Sequence, residues 1–384
     1  MSGPLHGIRI VEISAVGPVA LFATIMADLG ATVIRVDRPS HFEGRKEGAH
    51  VANRPVVDRD LKQPESVAFV LDLVRGADVL IEGYRPGVME RLGLGPDVCL
   101  AANPKLVFAR MTGWGQQGPF AGEPGHDINY LALTGALAAI GTEQEPIPPL
   151  NLIADYGGGS MFACVGVLAA LLSALRSGKG QVIDVAMIDG VGALFSMQYE
   201  RYAQGLWNNA RRANTLDGAA PYYGCYPCKD GKWVAAGALE MKFRRAMANT
   251  IGVPELGEES SSDPASWPQL RTRVAEAFKT ATRDEWMERM YGRETCCTPI
   301  LDMDEAPHHP HNVARTGFFQ DQGGWVPSPA PRFSAVARQE VLESATRAFR
   351  APNRIATGQL SAAESSIKDR SAAFAISPQR QSSP

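Results

Sequence analysis

The chain opens with a strand–helix–strand pattern in fewer than forty residues, and that pattern limits the fold more than any other feature. Residues 7–13, GIRIVEI, read as a buried strand. Gly17-Pro18 then opens an apolar stretch of helical period to about Leu29, and Gly30 stands where a helix end favours glycine. Residues 31–37, ATVIRVD, make a second strand. Two strands joined by a helix pair in parallel, because an antiparallel neighbour needs only a tight turn. The expected fold class is therefore α/β with an open parallel sheet, whose ligands collect beyond the carboxyl ends of the strands.

The alternation continues. A helix is expected at 64–76, a strand at 79–84, a short helix at 88–92 and a strand at 105–112. A Gly/Pro loop at 113–126 precedes a helix at 127–140, an apolar helix from Ser160 to Arg176, a strand at 180–187 and helix to about Trp207. Residues 222–240 alternate like an antiparallel hairpin turning at Lys229-Asp230-Gly231, and helices are expected at 241–251, 266–281 and 283–291. The organisation read from this is a large Rossmann-like domain at 1–208, completed by 321–355, and a small α+β domain at 209–320. Residues 356–384, serine-rich and poor in apolar side chains, are expected to be a disordered tail.

Composition excludes several classes. A net charge of −3 argues against a broad nucleic-acid surface. No apolar stretch of about 18 residues runs without polar interruption, so no membrane span is expected. The first residues lack the basic run of a secretory leader, which makes the cytoplasm the expected location. Six cysteines are then expected as thiols. Cys225 and Cys228 form a C-x-x-C pair on a hairpin, and Cys296-Cys297 is vicinal, which is poor ligand spacing. His308, His309 and His311 read as solvated loop residues, and no metal site is expected.

Three places carry possible chemistry. Gly113-Trp-Gly115-Gln-Gln-Gly118 follows a strand, but Pro119 and Pro124 forbid the helix that a dinucleotide fingerprint requires. It reads as a backbone-rich loop near a ligand. Arg38 at the tip of the second strand, with Lys62, Arg85 and Arg91 near later strand ends, suits the phosphates of one ligand. Asp155, before a Gly-rich step and an apolar helix, reads as lying near a helix N-cap, and His126 opens another helix behind a Gly-rich loop. Glu240, ending a strand of the small domain, is a third titratable candidate.

These residues resemble those of the family III CoA-transferase superfamily, in its α-methylacyl-CoA racemase branch. The resemblance runs from about Pro4 to Phe333 and is carried by GIRIVEI, GATVIRVDRPS, DVLIEGYRPGVMERLGLGP, ARMTGWGQQGP, GHDINYLALTG, PLNLIADYGGGSMF, SGKGQVIDVAMIDG, LDGAAPYY, GALE and CCTPIL. GHDINY followed by NLIADYGGG is the distinguishing pair, since transferase members generally lack the His at 126. The resemblance implies that His126 and Asp155 are the acid/base pair and that Glu240 supports His126 from a partner subunit. It implies CoA contacts by Arg38, Lys62, Arg85, Arg91, Asp127, Met111 and Gly125, and an interlocked homodimer of Rossmann-like and small domains. The implied substrates are 2-methyl-branched acyl-CoA thioesters, with CoA part of the substrate and no separate cofactor.

Inverting a carbon beside a thioester needs one group to remove a proton from one face and another to return it to the opposite face. Backbone amides of the helix after Asp155 are expected to meet the enolate oxygen, with Gly157, Gly158 and Gly159 letting the substrate approach. A transferase reading would make Asp155 a nucleophile forming an acyl anhydride. A third reading is an acyl-CoA-binding protein without catalysis. The chain departs from the family pattern at Met241-Lys242, where Pro-Gln is expected, and at Arg212, where the expected Arg-Gly-Ala-Asn has glycine. The racemase pattern is no longer recognisable after about residue 334.

Overall fold

The computed structural model describes residues 3–15, 17–38, 54–321 and 324–336. The proposed tail, and most of the segment expected to complete the large domain, lie outside the described residues. Along the chain the elements are β1 (Arg9–Ile13), α1 (Pro18–Asp28), β2 (Thr32–Asp37), β3 (Val56–Asp58), α2 (Pro64–Gly76), β4 (Val79–Glu82), α3 (Val88–Arg91), α4 (Pro96–Ala102), β5 (Val107–Thr112), α5 (Asp127–Leu133) and α6 (Ala136–Ala139). A π-helix (Leu152–Met161) then runs into α7 (Phe162–Ser177), followed by β6 (Gln181–Ala186), α8 (Met187–Leu194) and α9 (Ser196–Ala203). The helix expected at 127–140 is broken in two at Gly135, whose φ of 77° ends α5's turn. β3 and α4 fall where the sequence pattern placed no element.

The chain divides into two compact units. The first takes residues up to Thr134, Leu150–Leu194 and the described residues from Phe318 onward; the second takes Gly135–Pro149 and Phe195–Gly317. Sequence patterning put the break near residue 208. Packing puts it before Phe195, because periodicity does not say which body a helix packs against.

In the first unit all six strands pair in parallel, in the order β3-β2-β1-β4-β5-β6. The chain reverses its direction of travel between β1 and β4, so this is the switch point where an open α/β sheet leaves a crevice. One sheet face buries Val11, Ile34, Leu80 and Phe108 against Val70, Leu73 and Val74 of α2. On the opposite face two charged side chains inside the strands pair: Arg35 on β2 donates to Glu12 on β1 at 2.6 Å, and Arg54, which also donates to the carbonyl oxygen of Ala20 on α1, donates to the other Glu12 oxygen at 2.5 Å.

The stretch Leu152–Ser177 has mean hydropathy 2.0 and is long and apolar enough to cross a membrane by length and composition, contrary to the expectation from the sequence. A core helix meets the same test, and α7 packs on β5 and β6. The glycines at its start explain the packing. A methyl group at Gly158 would fall 2.8 Å from the carbonyl oxygen of Met187, and one at Gly159 would lie 3.3 Å from Pro18 Cβ. These glycines therefore let the π-helix lie against α8 and α1, not against a substrate.

The second unit is built on a three-stranded antiparallel sheet: β7 (Tyr223–Pro227), β8 (Trp233–Gly237) and β9 (Cys297–Ile300). Helices α10 (Met241–Ile251), α11 (Trp267–Phe278) and α12 (Arg283–Met290) cover it. Its core joins Tyr226, Val234, Met247, Val274, Phe278 and Trp286. The expected hairpin is present, with Cys228 buried at its turn. Pro310–Ala314 form a short helix, α13, and His309 caps it by accepting the amide of His311 at 3.3 Å. A last hairpin, β10 (Phe318–Asp321) and β11 (Gly324–Pro327), belongs to the first unit.

Candidate active site

A cleft of about 650 Å³ lies at the carboxyl ends of the parallel strands. Ser14 and Gly17 reach it after β1, Asp37 and Arg38 at the end of β2, Gly83, Tyr84 and Arg85 after β4, Met111–Trp114 at the end of β5, and Met187 after β6. This is the crevice the strand order demands. Glu82, at the tip of β4, is fully buried and accepts the amide of Tyr84 at 2.6 Å and Arg110 Nε at 3.1 Å. Burial pushes its carboxyl up to about 7, against the pull of that amide and of Arg110.

His126 and Asp155 line this one cleft. His126 is the N-cap of α5; its amide donates to the side chain of Asn129 at 3.0 Å. The imidazole is thus placed at a helix start and exposed to the cleft. Asp155 lies within the π-helix, not at an N-cap as expected, and is half-buried. Burial raises its carboxyl to about 6; the negative charge of Asp127 adds to the rise and His126 opposes it. A carboxyl of this kind exchanges protons near neutral pH.

Asp127 is not among the residues lining the cleft. It is buried, and one oxygen accepts the amides of both Ala154 and Asp155, at 2.9 and 2.8 Å. Its place is behind Asp155, holding the start of the π-helix. The amides expected as enolate donors after Asp155 are taken up in the helix itself. Asp155's own amide goes to Asp127, and its carbonyl accepts the Ser160 hydroxyl at 3.3 Å.

Of the expected CoA contacts, Arg38, Arg85, Met111 and Gly125 line the cleft. The Arg38 guanidinium lies 5.9 Å from the centroid of the Tyr84 ring, and Arg85 donates to the carbonyl of Gly122 at 3.4 Å. Lys62 and Arg91 are exposed and are not part of the lining. Glu240 belongs to the second unit, exposed at the N-cap of α10. Among the described residues no cluster of His, Cys, Asp or Glu could hold a metal ion.

Residues 5–348 match the family described as CoA-transferase family III. The chain belongs to CoA-transferase family III. Two relatives within reach of this family III chain are racemases by name. Alpha-methylacyl-CoA racemase of Mus musculus is 40% identical over 344 residues, covering 89% of each chain. That of Homo sapiens is 41% identical over 332 residues, covering 85% of this chain and 86% of its own. The crystal structure of a CaiB/BaiF family protein from Brucella suis has the same fold, with a TM-score of 0.74 at 24% identity, covering 87% of this chain and 93% of that one.

In this family III protein, sequence reasoning missed Tyr130. Its ring lies edge-on to Trp114 at 4.8 Å between centroids. A methyl group at Gly113 would collide with it, and one at Gly125 would lie 2.7 Å from its Cε1. The Gly-rich loop is therefore shaped around this ring, which lines the cleft. Burial, then the charges of Asp155 and Asp127, push its phenol up to about 12, so it stays a neutral hydrogen-bond donor. The signal was present in GHDINY, four residues after His126, on the same face of a helix.

Proposed function

We propose that the protein is an isomerase that interconverts (2R)- and (2S)-2-methylacyl-CoA thioesters. The observation that carries this reading is the placement of His126 and Asp155 on one cleft at the sheet's switch point, with Asp155 held near neutrality. The named racemases at 40% identity support it. One of the two groups takes the proton from the carbon beside the thioester carbonyl, and the C–H electron pair becomes the enolate. The other group, protonated, returns a proton to the opposite face. The roles exchange for the opposite enantiomer.

The enolate oxygen needs donors. The first amides of α5, which have no helical partner, lie next to His126, and the Tyr130 hydroxyl borders the same cleft. Arg38 and Arg85 hold the phosphates of CoA, with Lys62 and Arg91 farther out, and Met111 and Gly125 lie along the thioester. In this reading the chemistry draws on side chains and backbone amides of the chain, and CoA is part of the substrate.

Glu240 supports His126 from the partner subunit of a homodimer in this reading. The exposed apolar side chains of α7 support the dimer: Leu175 is 76% exposed and Val165 66%. Patches of this kind mark interaction surfaces. Light scattering at a mass of two chains is the expected result. All six cysteines are free thiols, which supports a reducing compartment such as the cytoplasm.

Incubation with (2R)-2-methylacyl-CoA in D₂O tests the reaction. Deuterium at C2 with inversion is expected. Transfer of CoA to added succinate or oxalate without exchange would establish Asp155 as a transferase nucleophile instead, and neither activity would leave binding alone.

A further inference from the structure

The second unit has a cleft of its own, about 560 Å³, lined in part by Arg212, Leu216, Tyr223, Trp233 and Arg271. This volume is within the range of small-molecule sites. Arg271, on α11, donates from Nη1 to the carbonyl of Gly218, and its guanidinium lies 5.3 Å from the centroid of the Tyr226 ring. Arg212 comes from the loop before β7, with its Nη1 against Gly218. Among the described residues neither guanidinium has a carboxylate partner within ion-pair distance. The carboxylate bordering this cleft is Asp217, and its oxygens accept the amides of Ala213, Asn214 and Ala219.

Two further facts bear on the pair. Burial lowers the pKa of Arg271 and the charge of Arg212 lowers it further, against the opposing pull of Tyr226, Cys225 and Asp217. Arg212 has φ 57°, a left-handed backbone that glycine takes without strain. A strained backbone that carries a long cation toward a second cation is a feature that a ligand would account for.

We propose that this cleft binds a small organic carboxylate with an apolar body, gripped by Arg212 and Arg271. A guanidinium fork matches a carboxylate, and here two forks border one cleft with no carboxylate in ion-pair contact among the described residues and with the Asp217 oxygens taken up by backbone amides. Leu216 and Trp233, 41% and 46% exposed, offer an apolar wall for the rest of the molecule. The proposal does not depend on the reaction at Asp155.

Isothermal titration of the full chain with phenylacetate, against the uncharged 2-phenylethanol, tests it. Phenylacetate is expected to bind, and 2-phenylethanol to bind at least about tenfold more weakly, the scale of one charge-assisted hydrogen bond. Arg212→Gly relieves the backbone and is expected to fold normally while weakening phenylacetate at least about tenfold. Arg212→Gln keeps the side-chain bulk and is expected to do the same. No binding by the natural chain, equal affinity in both variants, or equal affinity for the alcohol would overturn the proposal. Displacement of phenylacetate by inorganic phosphate at lower concentration would overturn the choice of an organic carboxylate.

Discussion

The carboxylate of Asp127 accepts the backbone amide of Asp155 at 2.8 Å, so one acid holds the other in place from behind. The same charge contributes to raising the Asp155 carboxyl. Asp127→Asn keeps an oxygen that can accept the two amides but removes the charge. The Asp155 limb of the pH–rate profile is expected to move to lower pH, with little change in melting temperature. A profile unchanged from the natural chain would refute the electrostatic role.

Asp155 itself titrates near 6, raised from an ordinary value of 3.8. Where Asp155 acts as the base, the rate is expected to fall as pH drops below about 6. For the opposite enantiomer, where it must begin protonated, the rate should fall as pH rises above that value. The same shift bears on stability. Between 3.8 and about 6 the folded state binds the proton that the unfolded state has released, so stability falls as pH rises through this window. Asp155→Asn is therefore expected to melt higher than the natural chain at pH 7, with the gain closing toward pH 4. A constant difference across that range would contradict the raised carboxyl.

His126→Ala and Asp155→Ala are each expected to lower racemisation by about 10²–10⁴-fold, the range of general acid–base catalysis. Circular dichroism should show the fold intact, because both side chains face the cleft. A rate within tenfold of the natural chain for either variant would remove that residue from its assigned part.

Tyr130→Phe removes a hydroxyl and leaves the ring that the loop encloses. A lower kcat with a near-unchanged KM is expected if the hydroxyl meets the enolate oxygen; full activity would limit Tyr130 to packing. Gly113→Ala tests the packing directly. Its methyl group would collide with the Tyr130 ring, and a loss of about 1–3 kcal/mol is expected, read from denaturant unfolding.

Gly158→Ala opposes two effects. Alanine favours a helix interior by roughly 1 kcal/mol over glycine. The new methyl group would lie 2.8 Å from Met187 O and 3.0 Å from Val191 N, and backbone atoms of α8 cannot rotate away. The collision should win, lowering the melting temperature and the activity together, since Asp155 sits on the same π-helix. A more stable, fully active variant would show that α8 yields.

The large unit's order of strands and helices was readable because hydrophobic period, helix-opening prolines and helix-ending glycines are local signals. β1, α1, β2, α2 and β4 lie close to where the pattern puts them, and the parallel sheet follows from the crossover helices. His126 and Asp155 could be named as a pair because each adjoins a Gly-rich stretch, His126 after one and Asp155 before one, in a motif specific enough to be recognised. Their meeting on one cleft could not be read from spacing, because it depends on the switch between β1 and β4.

Other features were settled by packing alone. Arg35 on β2 carries no local signal of burial in the sequence, yet it is buried against Glu12 of a neighbouring strand. Asp127 reads as a ligand contact beside His126, yet it faces the π-helix, because α5 turns its side chain inward. The three glycines after Asp155 read as room for substrate, yet α8 and α1 occupy that room. Local chemistry determines which turns and helices form, since those depend on neighbours within a few residues. Which polar group meets which, and which glycine faces solvent, ligand or another helix, depends on contacts between residues far apart in the chain, and these exist only once the sheet has brought them together.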